Sequence, residues 1–227
     1  MKILRRSFSV LLPGAAAGLF AQSSATPAPP SRLDLDLVKD WVGKAHQRQL
    51  DPMRELLKRE PNLIQSSWDW GSGDWESGLQ AAAHTGSREM ALFLLDQGAR
   101  VDLFAATMLG QLSALKVMFD SFPKSLQVRG AHGIPLLSHA VAGEAGARSV
   151  FDYLLAREVD VNAQANNGMS PLMMAVQTGQ TEIVEVLLHR HADPNLRAKS
   201  GQTALSLSVK RGDPAITSLL KNAGAAE

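Results

Sequence analysis

Gly168-Met169-Ser170-Pro171-Leu172-Met173-Met174-Ala175-Val176-Gln177-Thr178-Gly179 and Gly201-Gln202-Thr203-Ala204-Leu205-Ser206-Leu207-Ser208-Val209-Lys210-Arg211-Gly212 are one pattern written twice, 33 residues apart. The register holds downstream, where Ile183 pairs with Ile216, Val186 with Leu219 and Leu187 with Leu220. A fixed period of this length marks a stack of supersecondary units. Pro171 suits the first turn of a helix, where no amide hydrogen is needed, and Ser170 before it can cap the free amides. Ile183, Val186 and Leu187 give a second helix its apolar stripe. Small residues such as Ala82, Ala83, Ala140 and Ala175 let neighbouring inner helices approach closely. Gly86, Gly110, Gly143, Gly179 and Gly212 are expected to close the turn between two antiparallel helices. Each buried leucine contributes ~1.5–3 kcal/mol. No single unit can cover its own stripe, so stacking is compulsory.

Outward from this pair the pattern continues. Ser170-Pro171-Leu172 leads through Glu182-Ile183-Val184-Glu185-Val186-Leu187-Leu188 to Ala192-Asp193-Pro194-Asn195. One step earlier, Ile134-Pro135-Leu136 leads to Tyr153-Leu154-Leu155 and Asp160-Val161-Asn162. Before that, Leu79-Gln80-Ala81-Ala82-Ala83-His84-Thr85-Gly86 leads to Leu94-Leu95 and Gly98-Ala99. Two shorter, degenerate units run from Phe104 to Leu126 and from Val42 to Ile64. The pattern resembles the ankyrin repeat. The resemblance implies an all-α solenoid of about six helix-turn-helix repeats with short β-hairpin fingers, at roughly 33–65, 66–99, 100–127, 128–161, 162–194 and 195–227. Departures are expected to be felt locally. Glu158 and His191 replace the glycine that usually ends the second helix, at roughly 1 kcal/mol each if the backbone stays left-handed. His139 stands where alanine is expected, and Glu144 to Ala147 lengthen one helix-to-helix turn.

The N-terminus reads as an address. Lys2, Arg5 and Arg6 precede a mostly apolar run from Val10 to Phe20, and small residues follow, with cleavage expected after Ala21 or Ala25. Residues 1–25 are therefore assigned as a signal peptide and 26–32, with Pro27, Pro29 and Pro30, as a linker. Arg5-Arg6-Ser7-Phe8 resembles a twin-arginine export motif; a general secretory signal is the alternative. The apolar run is shorter than the ~20 residues of a spanning helix, so no stable membrane anchor is expected and the protein is placed in the periplasm or outside the cell.

Composition narrows the function classes. At 45% hydrophobic and 20% charged the chain can build a sizeable core. The formal net charge of +1 offers no basic field for nucleic acid. With no cysteine, disulfides, thiolate metal sites and cysteine catalysis are excluded. No P-loop, G-x-S-x-G or H-E-x-x-H motif is present, and Ser138-His139 falls inside a repeat helix. The histidines His46, His84, His132, His139, His189 and His191 lack the spacings of metal sites. They are read as surface imidazoles or turn caps, and no catalytic residue, metal or cofactor is assigned. A pocket gathering a histidine and two acids at ~3 Å would revive an enzymatic reading.

The unusual segment is Trp68-Asp69-Trp70-Gly71-Ser72-Gly73-Asp74-Trp75. Later fingers take 10 steps from the repeat-closing Asn to the next helix leucine (Asn162 to Leu172, Asn195 to Leu205), whereas Gln65 to Leu79 takes 14. One finger is thus about four residues longer, and it holds three of the four tryptophans. Tryptophan is the strongest interface hot-spot residue; the alternative is that the indoles fold back over the first repeat. The resemblance implies binding through finger tips and inner-helix ends. Candidate partner-binding residues are Trp68, Trp70 and Trp75, the tips His132, Asn166, Asn167, Met169, Lys199 and Gln202, and the helix ends His84, Thr85, Gln177, Thr178, Lys210 and Arg211. The expected function is a monomeric, non-catalytic scaffold binding an unidentified protein. The alternatives are an accessory or inhibitor protein of an exported enzyme or effector, and an enzyme with a site on the concave face.

Overall fold

Ser170 caps the helix Pro171–Thr178 by accepting from the Met173 amide, and Pro171 opens it, as the repeat pattern requires. The computed structural model describes residues 33–226. The signal peptide assigned to 1–25 and the linker at 26–32 lie outside the described residues.

Among the described residues twelve α-helices follow one another as consecutive antiparallel pairs: α1 (Leu35–His46) and α2 (Leu50–Arg59), α3 (Gly78–His84) and α4 (Arg88–Asp96), α5 (Leu103–Met108) and α6 (Leu112–Ser121), α7 (Leu136–Ala142) and α8 (Arg148–Ala156), α9 (Pro171–Thr178) and α10 (Thr181–His189), α11 (Ala204–Arg211) and α12 (Pro214–Asn222). The odd-numbered helices stack in chain order as an inner row. Their alanines are the reason: Ala81, Ala82, Ala83, Ala105, Ala140, Ala175 and Ala204 are all buried. Side chains this small let helix axes approach, while the leucine, valine and isoleucine stripes of the outer helices close the other side. The buried apolar residues form two contiguous clusters, and Phe104 packs against both. None of the described helices is long and apolar enough to cross a membrane.

The fingers depart from expectation. Only the long one forms a ladder among the described residues: β1 (Ser67–Asp69) pairs antiparallel with β2 (Trp75–Ser77). The finger before α7 carries a single bridge between Arg129 and Pro135, and those before α9 and α11 are turns. Between α4 and α5 there is no finger at all. Six residues connect that pair, against 14 between α6 and α7 or α8 and α9. In addition α5 is short, so α3 and α7 touch each other across it.

The extra residues Glu144–Ala147 form a 3-10 turn that packs against the end of α5 and fills the space its shortness leaves. Here one expectation is corrected. Gly143 does not adopt the left-handed conformation; its φ is −76°, and Glu144 takes that role at φ 51° because the inserted turn moves the reversal one residue on. Glycine is needed at 143 for space, since a Cβ there would lie 2.1 Å from the Met108 carbonyl oxygen. Glu158 and His191 do stand left-handed, at φ 56° and 63°.

Candidate functional site

Strand periodicity builds the site. Successive side chains of β2 point to opposite faces, so Trp75 is 60% exposed while Glu76 is wholly buried. Trp68, opposite Glu76 in the ladder, packs on the core of the first helices with the Lys39 ammonium over its ring. Trp70 turns back on the site, its Nε1 donating to Glu76 Oε2 at 2.7 Å.

Three histidines converge on Glu76. His46 ends α1 and His84 ends α3, at corresponding positions of adjacent pairs, and His132 sits at the finger tip before α7. His46 Nε2 lies 2.5 Å from Glu76 Oε2, His132 Nε2 lies 3.3 Å from the same oxygen, and His84 Nδ1 lies 3.2 Å from Oε1. The three rings stand 4.7–5.4 Å apart between centroids. Asp74 completes the cluster by accepting from the His132 amide at 2.7 Å and facing His132 Nδ1 at 2.9 Å. That meeting of two fingers follows from the missing one between them. Without a finger before α5, the lengthened second finger reaches the fourth.

Burial above all, then the His46, His139 and His132 imidazoles, push the His84 ring down to about 2, so it is neutral at ordinary pH. His84 Nδ1 and Glu76 Oε1 are nevertheless both buried without a hydrogen-bond partner. Reading His46, His84 and His132 as separate surface imidazoles is therefore corrected. Their spacing carries no motif because they come from three different helix pairs.

The same rings line a hollow of about 570 Å³ between fingers and inner helices, together with Ser138, Asn166, Asn167, Met169, Met174 and Gln177. A hollow of about 440 Å³ sharing His46, His84, Met174 and Gln177 adds Arg48, Thr85 and Thr178. Residues 136–226 match the ankyrin-repeat family in three copies. That segment carries ankyrin repeats. No curated protein matches it. Ankyrin repeats are in general protein–protein interaction modules.

Within the helical stack, His84, Thr85, His132, Asn166, Asn167, Met169, Gln177 and Thr178 fall on the two adjoining hollows. Lys199, Gln202, Lys210 and Arg211 do not; Arg211 instead donates to the Gln177 carbonyl. Sequence reasoning missed Glu76, Asp74 and His46 as site residues. The available signals were an acid pair inside the long finger and histidines at equivalent ends of α1 and α3.

Proposed function

We propose that the chain is an exported scaffold of six ankyrin repeats, the first and third degenerate, that holds a protein partner in the hollow between its fingers and inner helices. The observation that carries this reading is the convergence of eight candidate binding residues on two adjoining hollows. Inner-helix ends supply polar tips, and Met169 and Met174 supply adaptable apolar contact. The leader at 1–25 supports export. The test is capture from the compartment where the mature chain is found. One specific partner should be retained by wild type and lost from an Asn167→Lys, Gln177→Lys variant, while Lys221→Glu on the last helix keeps it. Equal capture by all three proteins, or none by any, ends the reading.

A second reading is favoured by one observation. His132 faces Asp74 at 2.9 Å and Glu76 at 3.3 Å, a histidine between two acids in a hollow, which is the geometry of acid–base chemistry. Turnover of a panel of activated ester and phosphoester substrates, abolished by His132→Gln, supports an enzyme. Absence of turnover leaves the scaffold.

A further inference from the structure

Glu76 is a carboxylate taken wholly out of water. Among the described residues its ion-pair partners are three imidazoles and no lysine or arginine. An isolated buried carboxylate is expensive. Two atoms at the centre, Glu76 Oε1 and His84 Nδ1, face one another at 3.2 Å with neither bonded. Two unpartnered polar atoms aimed into one small space are what a cation resolves.

We propose that His46, Glu76, His84 and His132 form a site for a divalent first-row transition metal, zinc in the first place. Their ligand atoms all lie within 4.8 Å of one another. Zinc at 2.0–2.1 Å from nitrogen and oxygen places tetrahedral ligands ~3.3 Å apart, so closing the site asks for side-chain shifts on the order of 1 Å. Three imidazoles with one carboxylate suit zinc, copper, nickel or iron, whereas magnesium and calcium demand oxygen ligands. The surroundings fit as well. A ligating histidine usually gives its other ring nitrogen to a carboxylate, and His132 Nδ1 faces Asp74 Oδ2 at 2.9 Å, leaving Nε2 for the centre. Trp70 Nε1 holds Glu76 Oε2, which leaves Oε1 free to ligate. Because the rings line the hollow, the ion can be reached from solvent. The site stands independently of any protein partner.

The test uses the purified full chain stripped with EDTA. Zinc titrated calorimetrically should bind one to one and raise Tm by about 5–10 °C at a hundredfold excess over Kd, with magnesium inert. Cobalt in place of zinc should give the intense visible absorption of a four- or five-coordinate ion, a readout needing no variant. Glu76→Gln and His46→Gln should weaken zinc binding by about 100-fold or more, and Asp74→Asn by about 10–100-fold. A His189→Gln, His191→Gln variant, altered at two exposed histidines, should bind as wild type does. No stoichiometric zinc, a weak octahedral cobalt spectrum, or loss of binding in the His189, His191 variant instead of Glu76→Gln overturns the proposal.

Discussion

Asp74 holds His132 by two contacts, one at the backbone amide and one at the ring, across 58 residues of chain and an intervening helix pair without a finger. His132 stands left-handed at φ 57°, a conformation costing about 1–2 kcal/mol for a side chain with a Cβ. The Asp74 carboxylate offsets that cost by satisfying the amide the turn exposes. Asp74→Ala should therefore loosen the fourth finger. The His132 amide is expected to exchange with deuterium roughly 10-fold faster, with a stability loss of about 1–2 kcal/mol. Unchanged exchange at His132 would show that the finger holds itself.

The buried His139 ring makes stability pH-dependent. It is wholly buried against Phe104, with Nδ1 donating to the Pro135 carbonyl, and burial pushes its pKa from 6.5 down to about 4. Below pH 6.5 the unfolded chain binds a proton that the folded ring refuses until about pH 4. The unfolded state binds more protons in that window, so stability is full above 6.5 and falls toward 4. His84 adds to the same slope and extends it to lower pH. Urea midpoints between pH 7.5 and 4.5 should decline in the wild type, and His139→Ala should flatten that decline whatever its own cavity costs. Parallel lines for the two proteins would count against this account.

Two helix ends carry strain that glycine relieves. Glu158 and His191 are exposed and left-handed, so Glu158→Gly and His191→Gly should each stabilise by about 0.5–1 kcal/mol, the left-handed cost less the entropy glycine gains when unfolded. The sites lie in different repeats, and the double variant should show the sum. A lower denaturant midpoint in either variant contradicts the assignment of strain.

Gly86 and Gly212 look alike in sequence and differ in space. Both are left-handed, at φ 71° and 72°. A Cβ on Gly86 would lie 2.4 Å from the Ala142 carbonyl oxygen, whereas one on Gly212 meets nothing within 4 Å. Gly212→Ala should cost about 1–2 kcal/mol of backbone strain alone. Gly86→Ala should cost at least about twice that, because α3 and α7 must separate. Equal melting-temperature losses would mean that the two helices do not press together there.

Periodicity reveals the helices and their pairing because stacking forces each repeat to bury the same positions: Ile183, Leu187, Ile216 and Leu220 are all buried. It also reveals the long finger, since inserted residues displace a fixed spacing. What it hides is contact between repeats that are not neighbours. Nothing in the row around Asp74 announces His132, because their meeting depends on a finger that the third pair does not make. Glu76 is hidden for a related reason. A glutamate beside an exposed tryptophan reads as solvated until the strand's alternation turns it inward. The tryptophans likewise split, Trp68 packing on the core, Trp75 facing solvent and Trp70 39% exposed with its Nε1 bonded to Glu76, so neither the interface nor the packing reading covers all three.

The gap before α5 also changes how the array comes apart. A linear stack ordinarily frays unit by unit from its ends, since each member touches only the next. Here the first pair meets the fourth through the His46 and His132 rings, 5.4 Å apart, and α3 meets α7 directly. The opening units cannot unzip singly without releasing a later one, so the N-terminal two-thirds is expected to open as one event, with α9 to α12 left to peel.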